Sequence, residues 1–447
     1  AYDAATLPFR SFRCPMTKNS VRDALESALA ASTLPAARHV FTALMPESAR
    51  AEADAADARR KAGVSLGPLD GMIVSVKDLF DIAGAPTAAG SKMRKAAPPA
   101  TADAPAVARI RRAGAVLIGR TNMSEFAYSG LGLNPHYGTP GNAAAPDRAP
   151  GGSTSGGAVS VGLGLAHLAL GTDTGGSTRI PAAFNGIVGF KPTSTRIPKD
   201  GCFPLSHSLD SIGPLGRNAA ECAAADAIMA GDEPLPLADF PVAGLRVAVP
   251  RGALFENTEK EVAHAFEAGL KALAKQGARI IEINIEDLIA DMRAALAIGP
   301  IAACEAAQIH AAALETRPDE FDRRVLARIR LGQPVPAWSY IEAVRRREAL
   351  KPAFAARLVD YDILAMPTVA IRAPLIAPLE ADDALFNSVN LLALRNTSLS
   401  NFFDLPALSL PLPVDGLPVG LMLVGAPHAD RRVFAIGQGV EKALKAG

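Results

Sequence analysis

Gly67-Pro-Leu-Asp-Gly-Met-Ile-Val-Ser-Val-Lys-Asp78 begins with a glycine-rich turn and passes straight into Met72 to Val76, a short apolar run rich in β-branched residues. Such a run suits a buried strand. A helical stretch, Ala104 to Ala113, follows, then Gly114 and a second strand-like run, Ala115-Val-Leu-Ile118. Strand, helix and strand in this order make a βα rhythm, so an α/β fold is expected. Upstream, Val21 to Lys61 is rich in Ala, Arg, Glu and Asp and is broken at Pro35 and Pro46. It predicts two or three surface helices, with Thr17, Asn19 or Ser20 as N-cap candidates. Residues 1–15 precede Met16, a candidate natural start, and are set aside as an N-terminal extension of non-native origin. Residues 16–66 then form a helical segment and 67–447 the main body.

Downstream, Gly130 to Gly157 reads as a long loop with prolines at 135, 140, 146 and 150. Loops of that length are usually functional. The small, apolar stretch Gly156 to Gly171, which carries His167, reads as a buried helix. Further strand signals lie at Leu245 to Val249, Ile280 to Ile283, Asp362 to Met366, Ala407 to Leu412 and Val419 to Val424. A long amphipathic helix is expected from Glu259 to Gly277 and a closing helix from about Arg432. Ala230 to Pro241, with three prolines, is the best boundary between halves. Strands recur on both sides of it, so one mixed sheet fits the pattern as well as two domains do.

Of the 447 residues, 49% are hydrophobic and 20% charged, which supplies a large core and argues against disorder. Lys and Arg total 46 against 45 Asp and Glu, so the overall field gives no reason to invoke nucleic acid or an anionic membrane. No run reaches the roughly 18–20 apolar residues of a membrane span, and no export signal precedes the body, so a cytoplasmic location is the default. Cys14, Cys202, Cys222 and Cys304 lie far apart without a CxxC pair. Neither a zinc site nor a disulfide framework follows, and a reducing compartment fits.

Phosphate-loop, dinucleotide-turn, zinc-helix and GxSxG motifs are all missing, and the seven histidines fall in no metal-ligand spacing. His167 reads as a satisfied buried side chain. What stands out is a pair of glycine–serine clusters, Gly151-Gly-Ser-Thr-Ser-Gly-Gly157 and Gly171-Thr-Asp-Thr-Gly-Gly-Ser-Thr-Arg179. Glycine-rich loops can aim several backbone N–H groups at one point. The amides of Thr174, Gly175, Gly176 and Ser177 therefore suit an oxyanion hole, with the Ser177 hydroxyl set to meet a carbonyl carbon. A serine needs a base, and no histidine offers itself. Lys77 does: at the end of an apolar strand its amine is poorly hydrated, which lowers its pKa and lets it accept a proton, directly or through Ser153 or Ser155. A surface Lys–Asp ion pair is the competing reading of Lys77-Asp78.

Taken as a set, these segments resemble the amidase signature family of serine hydrolases. The resemblance rests on Gly67-Pro-Leu-Asp-Gly with Lys77-Asp78, Thr87-Ala-Ala-Gly-Ser91, Gly119 to Phe126, Asn134 to Gly138, Pro150 to Gly157, Gly171 to Pro181, Gly189 to Thr193, and Ser208-Leu-Asp210 with Gly213-Pro214. It is dense from Gly67 to Arg217 and looser beyond, where Asn401 to Pro411 and Gly416 to Leu421 also match. The resemblance implies a single domain with a mixed central sheet flanked by many helices. It implies a Ser-cisSer-Lys triad: Ser177 as nucleophile, Ser153 as bridging serine on a cis peptide after Gly152, and Lys77 as base. Ser155, Asp173 and Arg179 are supporting residues, the last two bracing the loop.

The implied activity is hydrolysis of a small or medium carboxamide to acid plus ammonia or amine through an acyl-Ser177 intermediate, with no metal or organic cofactor. Departures from the family pattern at Ala143, Thr154, Thr178 and Met422 touch loop shape and packing, not a reacting atom. Ala127, Tyr128, Ser129 and Gly130 are expected to border the nucleophile, and the region from Cys304 to Tyr340 to form the far wall, with His310, Arg328, Trp338 and Tyr340 as candidates. The expected partner is a small amide, without nucleic acid or membrane, and a homodimer is admissible. Two alternatives stay open: the A subunit of a glutamyl-tRNA amidotransferase, and a non-catalytic scaffold keeping the fold.

Overall fold

A strand that is apolar on both sides needs cover on both faces, and helices supply it here. The computed structural model describes residues 20–446, and within them eleven strands form one mixed sheet. They are β1 Phe41–Leu44, β2 Ile73–Lys77, β3 Val116–Thr121, β4 Leu168–Asp173, β5 Val188–Lys191, β6 Ser211–Gly216, β7 Arg246–Pro250, β8 Arg279–Ile283, β9 Ile363–Pro367, β10 Ala407–Pro411 and β11 Gly420–Val424. Their spatial order is β1-β3-β2-β4-β6-β5-β10-β11-β9-β7-β8. β2 runs parallel to β3 and β4, and β7 parallel to β8 and β9. The other neighbours are antiparallel.

The two halves of the chain meet where Leu408 of β10 pairs with Phe190 of β5. The proline-rich connector carries no helix or strand from residue 232 to 244, yet the sheet runs past it without a break. The chain is therefore a single domain.

Side chains alternate across a strand, and β2 uses that alternation to sort its residues. Val74 and Val76 join the core formed with the helices Pro105–Arg112, Ala219–Ala230, Lys260–Lys275 and Asp430–Ala446. Ile73 faces the opposite core, beneath the helices Val21–Ala31 and Pro46–Lys61. Ser75 lies on that second face, its hydroxyl 2.8 Å from that of Ser160 in the helix Ser155–Gly162. By the same alternation Lys77 turns toward the start of this helix.

Some expectations need correction. Gly156 to Gly171 is not one helix: the helix ends at Gly162, Gly164 takes φ +73°, and Leu168 onward is β4. The small, mostly apolar composition hid the change of period. The stretch read as helical between 16 and 66 does hold two helices, the first capped by Ser20 in a reciprocal box with Asp23, but it also supplies β1, the sheet edge. Residues 1–15, Met16, Thr17 and Asn19 lie outside the described residues.

Candidate active site

Lys77 is fully buried at the end of β2, and its Nζ lies 2.8 Å from Ser153 Oγ and 2.9 Å from Thr172 Oγ1. Burial pulls its pKa down from 10.5 to about 7, against the opposing pull of the Asp173 and Asp210 carboxylates. The chemistry of the partners matters as much. Hydroxyls can donate to a neutral amine as readily as they accept from an ammonium. The other fully buried lysine, Lys191, instead gives its Nζ to the carbonyls of Pro192 (2.7 Å) and Leu405 (3.1 Å), which can only accept. The Lys–Asp surface pair is not formed: Asp78 is itself buried and pairs with Arg120 at 2.6 Å.

Ser153 follows a cis peptide bond with Gly152. Thr154 N–H donates to the Ser177 carbonyl (3.3 Å), which ties the two glycine–serine loops together. The Ser155 hydroxyl turns away to the Asn122 carbonyl at 3.3 Å, so Ser153 is the serine that meets the amine. In the second loop, the Gly175 carbonyl accepts from Thr397 Oγ1 (2.6 Å) and the Gly176 carbonyl from Ile180 N–H (2.8 Å). A trans peptide sets its N–H opposite its C=O, so the following amides, of Gly176 and Ser177, are turned the other way. Among the described residues no protein acceptor takes the N–H of Gly175, Gly176 or Ser177. Gly176 sits at φ +140°, and a Cβ there would collide with the Thr397 hydroxyl.

Below this loop Asp173 and Arg179 form a fully buried pair, Nη2 to Oδ1 at 2.8 Å and Nε to Oδ2 at 3.1 Å. Thr178 N–H and the Asn401 side-chain amide also donate to Asp173, at 3.0 and 2.8 Å. With Arg179 opposing the cost of burial, the Asp173 carboxyl is held far below the ordinary carboxylate range. Two departures from the family pattern acquire a purpose here. The Thr178 hydroxyl lies 2.9 Å from Asp173 Oδ2, and Met422 Sδ lies 3.2 Å from Arg179 Nη1. Arg179→Met is expected to cost about 3–5 kcal/mol, because it strands a buried carboxylate. In a denaturant titration, a loss under about 1 kcal/mol would contradict this account of the loop's support.

A cavity of about 500 Å³ opens onto Ser177, lined also by Ala127, Tyr128, Ser129, Thr174 and Gly175. Gly130 sits behind it, its N–H donating to Asn390 Oδ1 at 2.8 Å and its carbonyl accepting from Gly152. Of the far-wall candidates only Arg328 reaches the cavity, its guanidinium 4.5 Å over the Tyr128 ring. His310 packs among Phe126, Phe203 and Phe321, Trp338 is 70% exposed, and Tyr340 donates to Glu305 at 2.7 Å. The wall comes instead from residues 289–303, ahead of the expected stretch, and from the helix Asp383–Phe402.

Sequence reasoning also passed over Thr172, whose hydroxyl meets Lys77, and the support given by Asp210. The buried Asp210 carboxyl accepts from Thr174 Oγ1 (2.5 Å) and from the Leu205 and Ser206 amides, and burial raises its pKa. Its place in Ser208-Leu-Asp210 was the available signal. His167 accepts the Ile73 N–H at 2.9 Å, as expected of a satisfied buried side chain. Among the described residues no three His, Cys, Asp or Glu side chains gather as metal ligands, and no helix is long and apolar enough to cross a membrane.

A mixed sheet that buries a lysine against a serine hydroxyl, beside a glycine-rich loop with unpaired amides, fits the class to which the comparisons assign the chain: hydrolases of amide C–N bonds. A family model described as Amidase matches residues 23–434, and the chain belongs to this family, the amidase signature enzymes. It is 39% identical over 413 residues to 2-amino-5-chloromuconic acid deaminase of Comamonas testosteroni, covering 89% of this chain and 87% of that protein. To the A subunit of glutamyl-tRNA(Gln) amidotransferase from Chloroflexus aggregans (strain MD-66 / DSM 9485) it is 33% identical over 437 residues, covering 90% and 88%. A solved structure described as the crystal structure of amidase superposes with a TM-score of 0.84 at 35% identity, over 95% of this chain and 96% of that one.

Proposed function

We propose that this amidase hydrolyses a small carboxamide to the acid plus ammonia or amine through an acyl-enzyme on Ser177. The observation that carries the reading is the 2.8 Å contact between the buried Lys77 amine and Ser153. In this reading the neutral amine draws the Ser153 proton, Ser153 draws that of Ser177, and the Ser177 oxygen attacks the amide carbon. The amides of Thr174, Gly175, Gly176 and Ser177 hold the oxygen as it becomes negative. The relay then returns the proton to the leaving nitrogen as the C–N bond breaks. Water hydrolyses the ester, releasing the acid and restoring the serine.

The glutaminase reading, with its need for a partner protein, is weaker because the chain is more similar to the deaminase than to the amidotransferase. The scaffold reading leaves a buried lysine among hydroxyls without a purpose. A cytoplasmic location and a homodimer belong to the same proposal, and light scattering of the purified chain tests the second.

The direct experiment is mass spectrometry of the enzyme quenched during turnover of an aryl amide or ester: the peptide holding Ser177 is expected to carry the acyl mass. An adduct on another residue, or hydrolysis with no adduct under burst conditions, removes the proposal. The pH dependence follows from Lys77. An ordinary lysine is neutral to only about 3 parts in 10,000 at pH 7, whereas one with a pKa near 7 is about half neutral. The reacting form is the deprotonated one, so kcat/KM is expected to rise about tenfold per pH unit below 7 and to level off above about pH 8. A rate that is flat or falling from pH 6 to 8 contradicts the assignment of Lys77 as base.

A further inference from the structure

We propose, building on the amidase reading, that Asp210 is a positioning residue of the reaction: held beneath the nucleophile loop, its carboxylate acts through the Lys77 amine and fixes how readily that amine keeps a proton. The geometry begins on β4. Thr172 and Thr174, two residues apart at and just past its end, present one hydroxyl to Lys77 Nζ at 2.9 Å and the other to Asp210 Oδ1 at 2.5 Å. Two residues advance a strand by roughly 7 Å, so amine and carboxylate sit side by side along one stretch of backbone. Thr172 and Asp210 also line one cavity of about 470 Å³, distinct from the chamber at Ser177. Asp210 is fixed there. Its Oδ2 accepts from the Leu205 and Ser206 N–H groups at 2.9 and 3.1 Å, and the Ser206 hydroxyl donates in turn to Glu305 of the helix Ile301–Ile309.

Two carboxylates act on Lys77, Asp173 and Asp210, and one of them is neutralised. Asp173 is matched by Arg179 in the fully buried pair, and Asp78, next to Lys77 on its own strand, is matched by Arg120. Asp210 forms no ion pair among the described residues. Lys199 acts on it from elsewhere on the cavity wall and gives its own Nζ to the His207 carbonyl at 2.9 Å. The other titratable groups of that wall are Asp200 and His207, both exposed, and Cys202, whose thiol burial keeps protonated, while Glu305 lies beyond Ser206. Burial raises the Asp210 pKa, and its three hydrogen-bond donors oppose that rise and favour the charged form. Where water is excluded, an unmatched carboxylate at this range steadies the ammonium form of Lys77, against burial, which favours the neutral amine. The balance matters to the chemistry. An amine whose proton affinity falls too far is neutral at every working pH but pulls weakly on the Ser153 proton.

The test compares kcat/KM against pH for the unvaried enzyme, Asp210→Asn and Asp210→Glu, with p-nitrophenyl acetate as substrate. Asparagine removes the charge and keeps the contacts, since its carbonyl can take the two amides and its NH₂ can donate to the Thr174 hydroxyl. The acid limb of Asp210→Asn is expected to have its midpoint at least about half a pH unit below that of the unvaried enzyme. At pH 6 the variant then works at about a quarter or more of its plateau, where the unvaried enzyme works at about a tenth. Asp210→Glu, which keeps the charge, is expected to hold the midpoint within about that half unit, whatever it does to the rate. A merely structural Asp210 would lower the rate of the asparagine variant equally at every pH. That result, a smaller or upward move of the midpoint, or an equal downward move in Asp210→Glu, overturns the proposal while the amidase reading stands. A profile with no acid limb in the unvaried enzyme removes Lys77 as base and the proposal with it. Should the ester not be turned over, carbon-13 NMR of the protein labelled at lysine Cε decides, the Lys77 signal being the one lost in Lys77→Met: equal titration midpoints in the unvaried and Asp210→Asn proteins end it. If Asp210→Asn does not fold, Asp210→Ser removes the charge in its place and is held to the same limits.

Discussion

Ser177→Ala lowers kcat by at least about 10⁴-fold and leaves the protein folded, if the acyl-enzyme proposal is right. The change deletes one oxygen from a buried residue that lines the cavity, and the loop around it is held by other groups. Asp173 and Arg179 anchor the loop from below, Thr397 and Ile180 hold the carbonyls of Gly175 and Gly176, and Thr154 holds that of Ser177. None of these bonds uses the Ser177 hydroxyl. Circular dichroism and the denaturation midpoint should therefore match those of the unvaried chain, while turnover vanishes. Residual activity above about 1% with an intact acyl adduct elsewhere would remove Ser177 from the chemistry.

Lys77→Met separates catalysis from stability. Without the amine nothing accepts the Ser153 proton, and the loss expected for a missing general base is about 10²–10⁴-fold, here at the upper end because the nucleophile depends on the same relay. Stability moves the other way. The amine titrates near pH 7 in the fold and near 10.5 when the chain is open, so unfolding takes up a proton between these values. Holding lysine there costs the native state about 4 kcal/mol at pH 7, and the cost fades as pH rises toward 10.5. Methionine avoids this cost but leaves the hydroxyls of Ser153 and Thr172 short of a partner, at about 1–3 kcal/mol each. The net value at one pH is therefore small. The pH trend is the sharper measurement: the stability of Lys77→Met relative to the unvaried chain is expected to drop by about 3 kcal/mol between pH 7 and pH 9.5. A difference independent of pH would mean that Lys77 is protonated in the fold and is not the base.

Much of this site can be read in the chain because its parts are backbone devices with residue signatures. Glycines that free amide groups, and a lysine closing a β-branched strand, declare themselves locally. β1 was missed because Phe41-Thr-Ala-Leu44 is a short, half-exposed edge strand without alternation. β4 was missed because Leu168 to Asp173 continues a small, mostly apolar stretch whose few polar residues, Ser160 and His167, mark no strand period. Arg328 stood only among candidates, in a helix that also carries Arg323, Arg324 and Arg330. Arg323 and Arg324 are neutralised by Asp383 and Asp322, and no sequence rule tells which of four arginines is left to face the cavity. Lys77 and Lys191 likewise read alike along the chain; the hydroxyls around one, and the carbonyls and the Asp404 carboxylate at 3.7 Å around the other, tell them apart.

The seam between β5 and β10 divides more than the sheet. Every proposed reacting group lies before the connector at 232–244, whereas most of the residues that shape the chamber, 289–303, 328–331 and 391–402, lie after it. Reactivity and taste are thus inherited from separate stretches. Substitutions in 289–303 and 328–331 can change what the enzyme feeds on while the machinery that cuts is left alone, and a graft of those residues from a relative, with Thr397 and Asn401 kept to hold the loop, is the economical way to redirect it.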